Sequence, residues 1–476
     1  MKRSCLLVFV LSVGCFATLV NAAPPAGQSA SKPNVLFIAV DDLNHWVGHL
    51  HRNPQTRTPQ IDRVAAMGVT FTRANCAAPV CNASRAALMS GLRPSTSGVY
   101  DNGQDWKPVM AKKLTLTTQF LEAGYQVFGA GKIYHGSAHR EGEWTEYFTP
   151  SGGGKLRRHP SAPDDGVGGI KFCPLANDDQ DMPDYKVVSY ALDKLQAAHD
   201  KPFFLAVGLV KPHMPFSVPK KYFDQFPLDG IELPPHREDD LQDVPPGGVK
   251  MARPGGDHAQ MLASGRWKEA VQAYLATIAF CDAMVGRLLD GLVQSPHRDN
   301  TIVVFWGDHG WHLGEKQHWR KFALWEEAAR APLIWVVPGL TRPGGVCERP
   351  VDFMSIYPTL CDLSGIAIPE HVEGPSIRPL LAEPAAPWKR AALTTFHRNN
   401  HSLRSERWRY IRYADGGEEL YDHDADPYEW KNLAAAAEHE QVKAELARWL
   451  PKVNREELPR DQPAKKQRKK AARNSK

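Results

Sequence analysis

The chain has 476 residues, 42% hydrophobic and 9% aromatic, which excludes a disordered chain and a small disulfide-stapled module and leaves room for two or three domains. Its 38 prolines and 37 glycines suggest a loop-rich fold and argue against a helical bundle or coiled coil. The formal charge of +5 is uneven: residues 463–476 hold seven Lys or Arg and no acid, and removing these with Lys2 and Arg3 leaves the body at −4. A mildly acidic body does not argue for a nucleic-acid-binding surface.

Lys2 and Arg3, the apolar stretch from Leu6 to Val20 and the small-residue site Val20-Asn21-Ala22 predict an export signal over residues 1–22. The stretch is short for a membrane span, and no later run has the length of one. The expectation is a soluble protein, periplasmic or secreted. A Pro/Ala/Ser-rich linker follows over residues 23–32. Six cysteines remain beyond the signal, with no CxxC pair and no zinc spacing. An even count in an exported chain permits three disulfides, whereas Cys281 and Cys361 sit in apolar helical patterns that suit buried thiols.

Pro33 to Val40 is a continuous apolar run, which suits a strand buried on both faces of a parallel sheet. It ends in Asp41-Asp42, where open α/β sheets bind ligands. Two adjacent carboxylates there favour a hard cation, Ca²⁺ or Mg²⁺ over zinc, although a helix cap followed by a solvated acid has the same local pattern. Pro79 to Pro94 reads as a loop feeding a short helix that Gly91 ends. Cys81 falls near its N-terminus, where free N–H groups hold an anion, and Arg85 lies one turn on. Further strands are expected at Gln126–Ala130, Pro202–Val210, Thr301–Trp306 and Leu333–Val337. A helical stripe carries Trp267, Val271, Tyr274, Ile278, Cys281, Val285, Leu288 and Leu292. Strands alternating with helices imply an α/β fold around a large, mainly parallel sheet.

Thr301 to Trp306 ends in Gly307-Asp308-His309-Gly310, a second acidic strand end, and two such ends in one sheet are better evidence for one shared metal. Residues 137–185 and roughly 225–265 are long, aperiodic stretches of the kind that form binding loops or lids. From about Ala391 the alternating runs predict a small antiparallel sheet with a covering helix from about Glu438 to Val453. The expected organisation is a catalytic domain over 33–390, a C-terminal subdomain over 391–456 and a basic disordered tail over 457–476.

Cys81-Asn82-Ala83-Ser84-Arg85 followed by Ser90-Gly91-Leu92-Arg93-Pro94 resembles the signature of the formylglycine sulfatases, with Ala83 where proline is usual. The resemblance runs from Pro33 to about Leu433. It implies an alkaline-phosphatase-like fold, conversion of Cys81 to formylglycine by a generating or maturing enzyme, and Asp41, Asp42, Asp308, His309 and the modified Cys81 as metal ligands. It further implies catalytic roles for Arg85, Lys132, His135, His213 and Lys321. Gly131-Lys132-Ile133-Tyr134-His135, Lys211-Pro212-His213 and Asp308-His309-Gly310-Trp311 are similar to the iduronate-2-sulfatase branch. Trp311, His312 and the two long stretches are expected to line the pocket for a sulfated sugar or polysaccharide. A phosphodiester or phosphonate ester hydrolase of the same superfamily and an inactive glycan-binding relative are the competing readings. Asn82-Ala83-Ser84 is also a glycosylation sequon, expected to be incidental.

Overall fold

Strand β1 (Asn34–Val40) is buried at every position and sends Leu36, Ile38 and Val40 into one core cluster and Val35, Phe37 and Ala39 into another. This two-sided burial is the physical reason for its unbroken apolar run. The computed structural model describes residues 32–136, 139–150 and 155–460. The expected export signal, the linker up to residue 31 and residues 461–476 of the tail lie outside them.

With β2 (Val69–Phe71), β3 (Gln126–Gly131), β4 (Glu146–Phe148), β5 (Phe203–Leu209), β6 (Thr301–Gly307), β7 (Leu333–Val336) and β8 (Gly345–Cys347), the sheet has the order β8-β2-β7-β6-β1-β5-β3-β4. Only β7 runs against its neighbours, β2 and β6. The edge strands β4 and β8, and β2 next to β8, have three residues each and are too short to leave a period in the sequence. On one face packs the 27-residue helix Trp267–Val293, with its whole predicted stripe buried. On the other packs helix Cys81–Ser90, closed by Gly91 in the left-handed conformation at φ 72°.

The register across the sheet positions the site. Gly131 pairs with Gly208, Ala39 with Gly208, and Val40 with both Leu209 and Gly307. One line across four strands therefore ends at Lys132, Val210, Asp41 and Asp308. Gly208 and Gly131 are needed there: a Cβ on Gly208 would stand 2.3 Å from the Lys132 carbonyl, and one on Gly131 would stand 2.1 Å from the Gly208 oxygen.

The C-terminal sheet, β9 (Ala392–Thr395), β10 (His401–Arg404), β11 (Trp408–Arg412) and β12 (Glu418–Asp422), is antiparallel throughout. Its helix spans Glu440–Ala447, shorter than the sequence predicts. The sheet belongs to the same compact unit as the rest of Pro33–Lys476. Buried Arg409 ties it down: its Nη2 meets Glu326, its Nε lies 2.5 Å from Glu429, and its Nη1 donates to Ser402 at 2.7 Å.

Two expectations are corrected. Residues 457–460 are not a loose tail, because the Leu458 N–H donates to the Gly98 carbonyl at 2.9 Å and Gln104 donates to the Leu458 carbonyl at 2.7 Å. The stretch 225–265 is not structureless, for it contains helices Pro246–Ala252 and Asp257–Ser264. The six cysteines are all free and buried, so the disulfide alternative does not apply.

Removing a buried charge leaves its partners uncompensated. Arg409→Ala should cost about 3–5 kcal/mol, read from denaturant unfolding. A loss below about 1 kcal/mol, the range of a surface pair, would show that the two sheets are held by other contacts.

Candidate active site

Cys81 opens its helix with Val80 as the N-cap and no side-chain cap, so the positive end of the helix dipole points at the sulfur's surroundings. The thiol is fully buried. Its Sγ lies 3.0 Å from Lys321 Nζ and 3.3 Å from His309 Nε2, and His135 and His213 stand close enough to influence its ionisation. Burial opposes ionisation, yet Lys321, Lys132 and His309 together bring the thiol well below its ordinary value.

Behind it stand three fully buried carboxylates, Asp41, Asp42 and Asp308. Asp41 is met by Lys132 Nζ and, at 3.4 Å, by Arg85 Nη2. Burial and Cys81 oppose its charge, but Lys132, His213 and Arg85 outweigh them and hold the carboxyl well below the usual range. Asp42 takes a left-handed φ of 57°. Its N–H donates to Asp308 Oδ1 at 3.0 Å, and Tyr274 donates to its carbonyl at 2.8 Å. Asp308 accepts from Arg85 Nε at 2.8 Å. Burial nonetheless pushes its carboxyl up to about 7.

The donor set fits a hard divalent cation. Ligand atoms of Asp41, Asp42, Cys81 and His309 lie within 4.8 Å of one another, and Asp308 Oδ1 is 3.5 Å from His309 Nε2. Asp42 Oδ2 is buried without a hydrogen-bond partner, a costly state that a cation would relieve. His309 Nδ1 lies 3.0 Å from the Gly310 carbonyl, so it is an N–H, and Nε2 faces the carboxylates, where burial opposes a proton but Asp308 and Cys81 raise the pKa to about 9; a bound cation would take that proton's place. A second cluster, Glu326, His423 and Glu429, is already filled by the Arg409 guanidinium.

Lys321 Nζ also lies 2.7 Å from Asp42. His213 is the most open of these groups, its side chain 31% exposed, with Nε2 3.6 Å from Asp42 and 3.9 Å from Asp41. Its Nδ1 donates to the Met214 carbonyl. Burial lowers its pKa, but the two aspartates prevail and raise it.

The structure departs from the sequence reading at Trp311 and His312. Trp311 is buried, and its ring faces Lys321 Nζ at 5.4 Å and Phe216 at 5.6 Å, so it backs the lysine and does not line an open pocket. His312 is wholly buried, its Nδ1 3.1 Å from the Glu315 carbonyl and its ring against His318 and Trp325. Burial pushes its pKa down to about 3. Asn82 is also buried, donating to the carbonyls of Asp101 and Gln104, which leaves its amide unfit to carry a glycan.

Sequence reasoning missed the supports. Ser84 Oγ donates to the Asp308 carbonyl at 2.6 Å. Asp184 accepts from the N–H groups of Val210 and Lys211, fixing the start of the His213 loop. Beside the site runs a groove of about 900 Å³, lined by Val80 and Phe322, which adjoin Cys81 and Lys321 in the chain, and by Lys250, Arg253 and Arg320. Arg253, Arg320, Phe322 and His397, all in its wall, hold positive φ between 53° and 79°. Such strained backbone concentrates at functional surfaces.

The family model described as Sulfatase matches residues 33–366, and the one described as N-sulphoglucosamine sulphohydrolase, C-terminal, matches residues 314–456. The chain belongs to the sulfatase family. It is a sulfuric ester hydrolase. It is 40% identical over 454 residues to a sulfatase of Formosa agariphila, covering 90% of this chain and 88% of that one. It is 30% identical over 423 residues to the iduronate 2-sulfatase of Homo sapiens, covering 78% and 75%. A solved phosphonate monoester hydrolase of Agrobacterium radiobacter superposes with a TM-score of 0.73 at 23% identity, over 88% and 94% of the two chains; this likeness concerns the fold alone.

Calcium restored to chelator-stripped protein should raise the melting temperature, since a ligand at a hundred times its Kd stabilises by about 2.7 kcal/mol. Asp308→Asn should shrink that shift. Equal melting of stripped and calcium-loaded protein would contradict the metal assignment.

Proposed function

We propose that this sulfatase removes sulfate from a sulfated sugar or polysaccharide, with Cys81 converted to formylglycine and Ca²⁺ held by Asp41, Asp42, Asp308 and His309. The observation that carries the reading is the convergence of Lys321, His309, His135 and His213 on Cys81 with three buried carboxylates behind it. When present, the aldehyde hydrate supplies a hydroxyl nucleophile and a second hydroxyl through which sulfate is expelled, and the cation stabilises charge on the sulfuryl oxygens.

The chain's own residues do the rest. Lys132 and Lys321 face the reacting centre and spread the growing negative charge, while Arg85 holds Asp308 and Asp41 in place. His213, its pKa raised by Asp42 and Asp41 and its side chain partly exposed, donates a proton to the departing sugar oxygen. His135 would take the proton of the second hydroxyl; with the attacking hydroxyl's proton passing to solvent, one proton is released overall and His135 and His213 are reset by exchange with water. The groove beside Cys81 takes the sugar next to the reacting one. Its Lys250 and Arg253 have no ion-pair partner among the described residues and suit an acidic neighbour. Residues 1–22 are read as an export signal, which would place the protein in the periplasm or outside the cell, with a maturing enzyme acting on Cys81. Among the described residues no helix is long and apolar enough to cross a membrane.

The test compares a sulfated disaccharide, nitrophenyl sulfate and a phosphonate monoester. Hydrolysis of the disaccharide should exceed that of the phosphonate. His213→Ala should depress the disaccharide reaction about 10²–10⁴-fold more than the nitrophenyl reaction, because a nitrophenolate leaves without a proton. Equal losses on the two sulfates would make Lys321 the acid, and preference for the phosphonate would overturn the substrate class.

A further inference from the structure

A second cleft, of about 770 Å³, lies on the C-terminal sheet and its helix, and shares no residue with the groove beside Cys81. Three tryptophans from three separate segments line it: Trp388 before β9, Trp408 at the start of β11, and Trp449 beyond helix Glu440–Ala447. Trp449 is 40% exposed, and the other two are half-buried. Trp388 is fixed by its Nε1, which donates to the Pro350 carbonyl at 2.9 Å. Trp408 is braced by His439, ring to ring at 5.1 Å. Large aromatic faces left open to water, yet held rigidly, mark a binding surface more often than an unfinished core.

The charge in the cleft is mainly positive. Lys389, Arg390 and Arg448 line it and have no carboxylate within ion-pair distance among the described residues. Of the cleft's two acids, Glu406 is paired with Arg349 at 2.6 Å, while Glu445 accepts from the neutral amide of Gln441 at 3.0 Å and keeps its charge, one negative group against three unpaired cations. The Arg390 guanidinium lies 5.9 Å from the rings of both Trp388 and Trp449, and Arg407 lies 4.7 Å from Trp408. Arg390 is therefore set between two flat apolar faces, while Arg407, beside the third, is paired with Asp422 at 2.5 Å.

Aromatic ring faces are negative and attract the C–H faces of sugar rings, while unpaired cations attract sulfate or carboxylate. We propose that this cleft is a second, non-catalytic binding site for an acidic polysaccharide. Single-stranded nucleic acid also uses stacking and cations, and tighter retention by an oligonucleotide than by a sulfated polysaccharide would reveal it. The inference rests on the glycan reading of the active site only for its purpose. A polymer held at a remote cleft raises the effective concentration of its sulfated units at Cys81 without adding a contact there.

The test is affinity electrophoresis of the full chain, made non-hydrolytic by Cys81→Ser, in gels containing dextran sulfate, neutral dextran or a single-stranded oligonucleotide. Dextran sulfate should retard the protein, less so as salt is raised, and neutral dextran should not. Lys389→Glu with Arg390→Glu and Arg448→Glu should weaken the retardation about tenfold, and Trp449→Ala should weaken it without lowering the melting temperature. With Cys81 intact, the same variants should hydrolyse nitrophenyl sulfate at the unaltered rate, which separates this site from the catalytic assignment. Unchanged retardation in the variants, an effect of the charges but none of Trp449, or tighter retention by the oligonucleotide would each overturn the proposal.

Discussion

Three carboxylates and a cysteine converge, out of water, at the carboxyl edge of the sheet. Negative groups this close cannot all stay charged in a buried place unless positive charge is brought to them. The surrounding architecture answers that requirement. Arg85 comes from the helix that begins at Cys81, Lys132 from the end of β3, His213 from the loop after β5, and Lys321 from the segment after β6. Their contacts with Asp41, Asp42 and Asp308 link four crossovers to one point. The buried Asp42 Oδ2, without a hydrogen bond and with His213 Nε2 3.6 Å away, is where this charge balance is still incomplete, and it marks the place for a cation.

The same demand explains the backbone. Asp42 adopts a left-handed φ so that its N–H can meet Asp308 while its side chain faces Lys321. Gly131 and Gly208 let two strands approach closely enough to bring Lys132 to Asp41. Tyr274, from the middle of the long helix, donates to the Asp42 carbonyl and accepts from the Asn44 N–H. The largest helix of the fold is thereby pinned to the turn that carries two of the acids.

Much of this was legible in the sequence because the central strands leave a strong trace. An apolar run buried on both faces and ending in Asp-Asp, or in Gly-Asp-His-Gly, announces both a parallel strand and the edge where it stops. The helix at Cys81 and its stop at Gly91 were readable for the same local reasons. Lys132, His135, His213 and Lys321 were not readable from local pattern, since a solitary lysine or histidine in a loop has no periodicity; the resemblance to a family supplied them. His312 was misread because it follows Asp308, His309 and Trp311 in the chain, while its side chain turns inward to Glu315 and His318. The short edge strands carry too few residues to show a period. The Arg409 network joins residues 83 positions apart to Glu326, and pairing over that distance has no signature in one sequence. The open tryptophans of the C-terminal cleft were equally silent, since Trp388, Trp408 and Trp449 come together only once the sheet has formed.

The charge cluster gives Cys81 its setting, and the fate of that sulfur is the centre of the account. Mass spectrometry of the tryptic peptide spanning Cys81, from protein produced with a sulfatase-maturing enzyme, addresses it most directly. The account predicts a peptide lighter than the cysteine form by about 18 Da, the stoichiometric change when a thiol becomes an aldehyde, in step with sulfatase activity. Full activity in protein whose Cys81 peptide retains the unmodified thiol mass would contradict it.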